Sequence, residues 1–149
     1  MKEKVKSNIV IDIENRIKYI LNKENIELID IDITNGKNKH ITIFVYNKNK
    51  TDLNGLSNIN RKINPIIEKI PYFNNGFILE LSSPGIYRKL KFKKEFDIFK
   101  EREVKIVTSD GIVFKGISDG INGNNLILKI NDKITEFDIN NIKSAYLNG

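Results

Sequence analysis

The chain has 149 residues, enough for one domain or two small ones, and its 40% hydrophobic content, mostly isoleucine, can form a core without staples. It has no cysteine, which excludes disulfides, thiolate metal sites and cysteine nucleophiles. Its formal net charge is +6, from 25 basic and 19 acidic residues.

No apolar run approaches the ~20 residues that span a bilayer. Ile9-Val10-Ile11 follows a basic start, but Asp12, Glu14 and Arg16 interrupt it, which argues against a signal peptide. A soluble, intracellular protein is expected.

Ile9, Ile13, Ile17, Ile20 and Leu21 recur at helical spacing and predict an amphipathic helix over residues 7–23, capped by Ser7 or Asn8. Leu28–Ile33 then alternates, placing Ile29, Ile31 and Ile33 on one side of a strand and Asp30 and Asp32 on the other. Asn35-Gly36 is a turn signal and Ile41–Tyr46 alternates again, which predicts an antiparallel hairpin. After a polar loop over Asn47–Asp52, the residues Leu56, Ile59, Ile63, Ile66, Ile67 and Ile70 return to helical period. Pro65 lies inside that run, where it costs ~3 kcal/mol, and predicts a kink or early end. Phe77–Leu81 is the next strand. This order gives an αββαβ layer, two helices covering one face of a three-stranded sheet.

That strand runs into Ser82-Ser83-Pro84-Gly85, and Ser83-Pro84-Gly85-Ile86 has the chemistry of a type II turn, with glycine supplying a positive φ at the third position. Beyond this corner Phe92, Phe96 and Phe99 predict one short helical face. Five short strands follow at 104–107, 112–117, 126–130, 134–137 and 142–147, separated by turn residues such as Asp110-Gly111, Asn122-Gly123 and Asn131-Asp132. Their length and spacing indicate a small closed barrel of SH3-like or Sm-like size. The fold class is thus α+β in two domains: 1–85, the αββαβ layer, and 86–149, the barrel, with a basic segment over 86–103 leading into it.

Most of the positive charge per residue follows the corner: residues 86–105 carry 8 basic and 4 acidic groups. The cations are Arg88, Lys89, Lys91, Lys93, Lys94, Lys100, Arg102 and Lys105, diluted by Glu95, Asp97, Glu101 and Glu103. An AT-rich genome over-uses Lys, Asn and Ile, and such a run also reads as a solvated face. Its clustering is equally what attraction to a phosphate backbone requires.

Catalytic signals are weak. His40, the only histidine, sits beside Lys37 and Lys39 at the start of a strand and has no second ligand for a metal site. Ser82 and Ser83 lack the G-x-S-x-G elbow and read as turn formers. Asp30 and Asp32 share a strand face and could co-ligate Mg²⁺, but the commoner meaning of such a pair is a solvated face. Gly120 and Gly123 read as a hairpin turn, since no GK[ST] follows. Phe44 and Tyr46 lie opposite Ile41, Ile43 and Val45, where they would stack bases if exposed and otherwise cover apolar surface.

The run Leu79-Glu80-Leu81-Ser82-Ser83-Pro84-Gly85-Ile86-Tyr87-Arg88 closely resembles the hallmark of the bacterial ribosome maturation factor RimP family. Ile26–Ile31, Ile41–Val45, Val104-Lys105-Ile106, Phe114–Ile117 and Phe137–Ala145 resemble further landmarks of that family. The family's Asp-Arg-Pro stands here as Tyr87-Arg88-Lys89, so only the arginine carries over. Asn54 and Gly55 replace an acidic pair, and Glu101 stands where a glycine is usual.

The resemblance implies an αββαβ domain followed by an Sm-like barrel. It also implies a non-enzymatic assembly factor that binds the free small (30S) ribosomal subunit, contacting 16S rRNA and a ribosomal protein near the decoding region. No cofactor, no metal, no small-molecule substrate and no membrane are expected, and the protein is expected to be a cytoplasmic monomer. The ribosome-binding residues expected are Arg88, Lys89, Lys91, Lys93, Lys94 and Arg102, with Ser82, Ser83, Pro84 and Gly85 as a structural junction. The alternative is a protein–protein adaptor whose barrel docks a ribosomal protein or basic peptide, with RNA contact incidental.

Overall fold

A computed structural model describes residues 1–47 and 53–149, so the loop expected over 47–52 lies, apart from Asn47, outside the described residues. Two units divide the chain, one of Lys6–Pro84 and one of Gly85–Gly149 together with Met1–Val5.

In the first unit, helix α1 (Asn8–Lys23) starts at Ser7, whose side chain accepts from the Val10 N–H at 3.3 Å. Strands β1 (Glu27–Asn35) and β2 (Lys39–Tyr46) form the expected antiparallel hairpin. Helix α2 (Leu53–Glu68) leads to a 3₁₀ turn (Pro71–Phe73) and to β3 (Phe77–Ser82), which pairs parallel to β2. The core joins Ile13, Ile17 and Leu21 of α1 and Ile59, Ile63 and Ile67 of α2 to Ile31, Ile41 and Ile43 of the sheet.

Two expectations need correction here. Helix α2 does not end at Pro65 but continues to Glu68. Burial of an isoleucine side chain contributes ~1.5–3 kcal/mol, so burying Ile67 and Ile70 beyond the proline offsets its ~3 kcal/mol penalty. The alternation of β1 also breaks. A register shift between Leu28 and Asp30 leaves Ile29, Asp30 and Ile31 all buried, so Asp30 is 3% exposed and not part of a solvated face. Its Oδ1 accepts from the Ile31 N–H at 2.9 Å.

In the second unit a short helix α3 (Lys94–Ile98) precedes strands β4 (Glu103–Thr108), β5 (Val113–Asn122), β6 (Asn125–Ile130), β7 (Lys133–Asp138) and β8 (Ile142–Leu147). Phe92, Phe96 and Phe99 are buried, as their spacing predicts. The strand order is β7-β6-β5-β4-β8, and among the described residues no ladder joins β7 to β8, so the expected closed barrel is not formed. The reason is the link between those strands. A 3₁₀ turn (Ile139–Asn141) is held to other loops, with the Ile139 N–H on the Asn124 carbonyl and the Ser109 N–H on that of Asn141, so the strands cannot pair as a hairpin.

Strand β5 is longer than expected because it bends. Its register with β6 shifts between Ser118 and Ile121, and Gly120, read above as a hairpin turn, sits at that bend with φ 88°. The positive φ is what favours glycine there, and an added Cβ would also displace the side-chain ends of Lys100 and Asp97, which lie 2.4 and 2.5 Å from its position. The Ser118 hydroxyl donates to the Phe96 carbonyl at 2.8 Å across the same contact. Glu101, where the RimP-like pattern has glycine, adopts φ 71°.

Candidate nucleic-acid interface

The corner turns later than expected. Gly85 does not adopt a positive φ, and the hydrogen-bonded turn is Gly85–Arg88, closed by the Arg88 N–H on the Gly85 carbonyl at 3.1 Å. Pro84 disfavours the helical region for Ser83, so the chain leaves β3 extended and bends only after the proline. Ser82 donates its hydroxyl to the Ser83 carbonyl at 3.0 Å; Ser83 and Gly85 are exposed, and Ser82 and Pro84 half-buried.

After this turn, residues 86–90 run antiparallel beside β8. The Leu90 N–H donates to the Ala145 carbonyl, the Leu147 N–H to that of Arg88 and the Gly149 N–H to that of Ile86. The segment alternates, burying Leu90 and Phe92 and leaving Lys89 exposed and Lys91 half-buried. Residues 1–5 lie along its far side. The Lys4 N–H donates to the Lys91 carbonyl at 3.1 Å, and Glu3 accepts from the Lys93 N–H at 2.8 Å.

This pairing builds a groove of about 260 Å³ lined by Lys2, Glu3, Lys4, Lys89, Leu90 and Lys91. Four lysines share it with one carboxylate, which already accepts a backbone N–H. Sequence reasoning gathered Lys89 and Lys91 but missed Lys2 and Lys4, which lie more than eighty positions away. Their i, i+2 spacing matches that of Lys89 and Lys91, the only signal that two extended segments carry one charged face.

The other expected cations fare differently. Lys93 and Lys94 are half-buried, and the Lys94 ammonium lies 5.5 Å from the Phe92 ring centroid. Arg102 is half-buried with its guanidinium 5.6 Å from the ring of Phe99. Neither these three nor Arg88 lines the groove.

Arg88 is the residue whose placement departs most from expectation. Its side chain is 7% exposed and its Nε donates to Glu95 Oε1 at 2.6 Å; Glu95 is 0% exposed. Glu95 Oε2 also accepts the backbone N–H groups of Lys91 at 2.6 Å and Phe92 at 3.0 Å. The guanidinium thus neutralises a buried carboxylate that organises the turn into α3, and it does not face solvent as a phosphate ligand would.

Elsewhere, His40 Nε2 lies 3.2 Å from Glu80 Oε2 on a partly exposed strand end, and Phe44 and Tyr46 are half-buried. Among the described residues no group of three or more His, Asp or Glu is placed to hold a metal ion, and no helix is long and apolar enough to cross a membrane.

Comparison with known proteins now bears on these features. The family model of the RimP N-terminal domain matches residues 16–87. A protein of Borrelia turicatae called ribosome maturation factor RimP is 29% identical over 141 residues, covering 91% of this chain and 94% of its own. The chain belongs to the RimP family. Relatives of the same designation from Borreliella burgdorferi and Borreliella afzelii are 37% and 35% identical over 99 residues, covering 64% of this chain. Those two matches span 66% of the relatives' own length. The family model ends at Tyr87, so the groove residues lie outside the stretch that it matches.

Proposed function

We propose that this protein is a non-enzymatic, cytoplasmic ribosome maturation factor that acts on the small subunit as a monomer. The observation that carries the reading is the match over 91% of the chain to a protein bearing that designation. The lysine groove supports it, because concentrated positive charge in a concavity attracts a phosphate backbone. In this reading residues 1–85 and 86–149 act as two domains. The second is read as an open relative of the Sm-like class, a reading that the place of its last strand β8 beside its first, β4, supports. Lys89, Lys91, Lys93, Lys94 and Arg102 contact 16S rRNA, and Arg88 positions the segment that carries them. Neither a cofactor nor a small-molecule substrate is required.

The adaptor reading has one observation of its own. Strand β7 is an open sheet edge and Ile134 on it is 68% exposed, a template to which a strand of a ribosomal protein could add. Sedimentation with purified 30S subunits tests both readings. Salt-sensitive retention that falls when Lys89 and Lys91 are reversed in charge supports RNA contact. Retention that ignores those changes but is lost with Ile134→Lys supports strand addition.

A further inference from the structure

The ladders of the second unit place Lys89, Tyr146, Lys105 and Lys115 in one row. Lys89 pairs with Tyr146 in a bridge, Tyr146 with Lys105 across β8–β4, and Lys105 with Lys115 across β4–β5. Directly opposed residues share a sheet face, and the alternating Leu90, Ala145, Leu147, Val104 and Ile106 are buried, so this row is on the outer face. Lys89 and Lys115 are exposed, Lys105 and Tyr146 half-buried, and the Lys105 ammonium lies 5.2 Å from the Tyr146 ring centroid.

The charge pattern is unusual for a strand surface. Two lysines directly opposite each other repel, and proteins ordinarily set opposite charges there. The row contains no carboxylate. Glu103, two residues from Lys105 on the same face, accepts from the Asn148 side chain at 2.7 Å, and the residues flanking Lys115 on that face are Val113 and Ile117. A polyanion laid across the row would remove the repulsion that the fold leaves standing.

We infer that this row is a binding site for single-stranded RNA, with Lys89, Lys105 and Lys115 on successive phosphates and Tyr146 offering a ring among them. Three strand spacings of about 4.8 Å make the row about 14 Å long, the reach of a few nucleotides. A sheet face with an aromatic among cations suits a flexible single strand, which can stack a base and bend its backbone to the ammonium groups. It does not suit a duplex, whose major groove admits a protruding helix or ribbon. This goes beyond the function proposed above, because a free oligonucleotide needs no ribosomal subunit. Failure of sedimentation would leave it intact.

The test is fluorescence anisotropy of a labelled dodecauridylate with the whole chain. The triple variant Lys89→Gln, Lys105→Gln, Lys115→Gln should lose at least about tenfold in affinity at 0.1 M salt, and its log–log salt slope should fall by about 2. The equal-charge control Lys18→Gln, Lys23→Gln, Lys133→Gln, changed at exposed positions off the row, should keep the wild-type slope to within about 0.5. The single variant Lys115→Glu guards against a folding artefact: it should raise Tm by about 2–4 °C while weakening RNA binding. Unchanged affinity in the triple variant, an equal loss in the control, or binding of a duplex or of polyglutamate as tight as that of the single strand would each overturn the assignment.

Discussion

Breaking the Arg88–Glu95 pair is the sharpest perturbation that the structure offers. Removing one member of a buried ion pair typically costs ~3–5 kcal/mol, because the survivor is left charged in a dry site. Here the two sides are unequal. Arg88→Met leaves Glu95 its bonds from the Lys91 and Phe92 N–H groups, so about 3 kcal/mol is expected. Glu95→Leu strands the guanidinium and also orphans those two N–H groups, each a loss of ~1–3 kcal/mol, so it should be the worse variant and should prevent the second unit from folding stably. Glu95→Gln keeps an acceptor for the N–H groups but removes the charge. Combining it with Arg88→Met removes both ions, and the double variant should be less destabilised than the sum of the singles by at least ~1.5 kcal/mol. Urea denaturation followed by circular dichroism measures all four proteins. Additive singles, or an Arg88→Met variant as stable as wild type with impaired RNA binding, would refute the structural role and return Arg88 to the ligand-binding surface.

Backbone conformation supplies further predictions. Gly85→Ala should be neutral or stabilise by ~0.4–1 kcal/mol, since Gly85 has no positive φ and no atom lies within 4 Å of the added carbon. Gly120→Ala should destabilise by ~1–3 kcal/mol from its φ of 88° and the overlap with Lys100 and Asp97. Glu101→Gly should stabilise by about 1 kcal/mol by relieving the left-handed backbone at φ 71°; a loss of stability in thermal denaturation would show that the glutamate side chain contributes more than the strain. Lys2→Glu with Lys4→Glu should weaken small-subunit association in a salt-dependent way. Equal binding by the variant and wild type from 50 to about 200 mM salt would show that the groove takes no part.

What the sequence made legible was whatever rests on local periodicity. The αββαβ order, the Ser7 cap, the buried Phe92–Phe96–Phe99 face and the five later strands all follow from spacing within a dozen residues. The features that stayed hidden depend on register or distant pairing. A one-residue shift in β1 buries Asp30, and nothing in Ile29-Asp30-Ile31 announces it. Nothing in the spacing of Arg88 and Glu95, seven residues on, announces that α3 folds the glutamate back beneath the arginine. Lys2 and Lys4 join Lys89 and Lys91 through pairing of residues 1–5 with the segment after the corner, the Lys4 N–H on the Lys91 carbonyl and the Lys93 N–H on Glu3, and Lys115 joins Lys105 through the β4–β5 ladder. Charge summed along the chain cannot show what pairing between strands assembles.

Co-sedimentation of the whole protein with purified 30S, 50S and 70S particles tests the proposed function most directly. Retention on free 30S subunits alone, weakening steeply as salt rises, is the predicted result. No retention on 30S, or equal retention on all three particles, would contradict it.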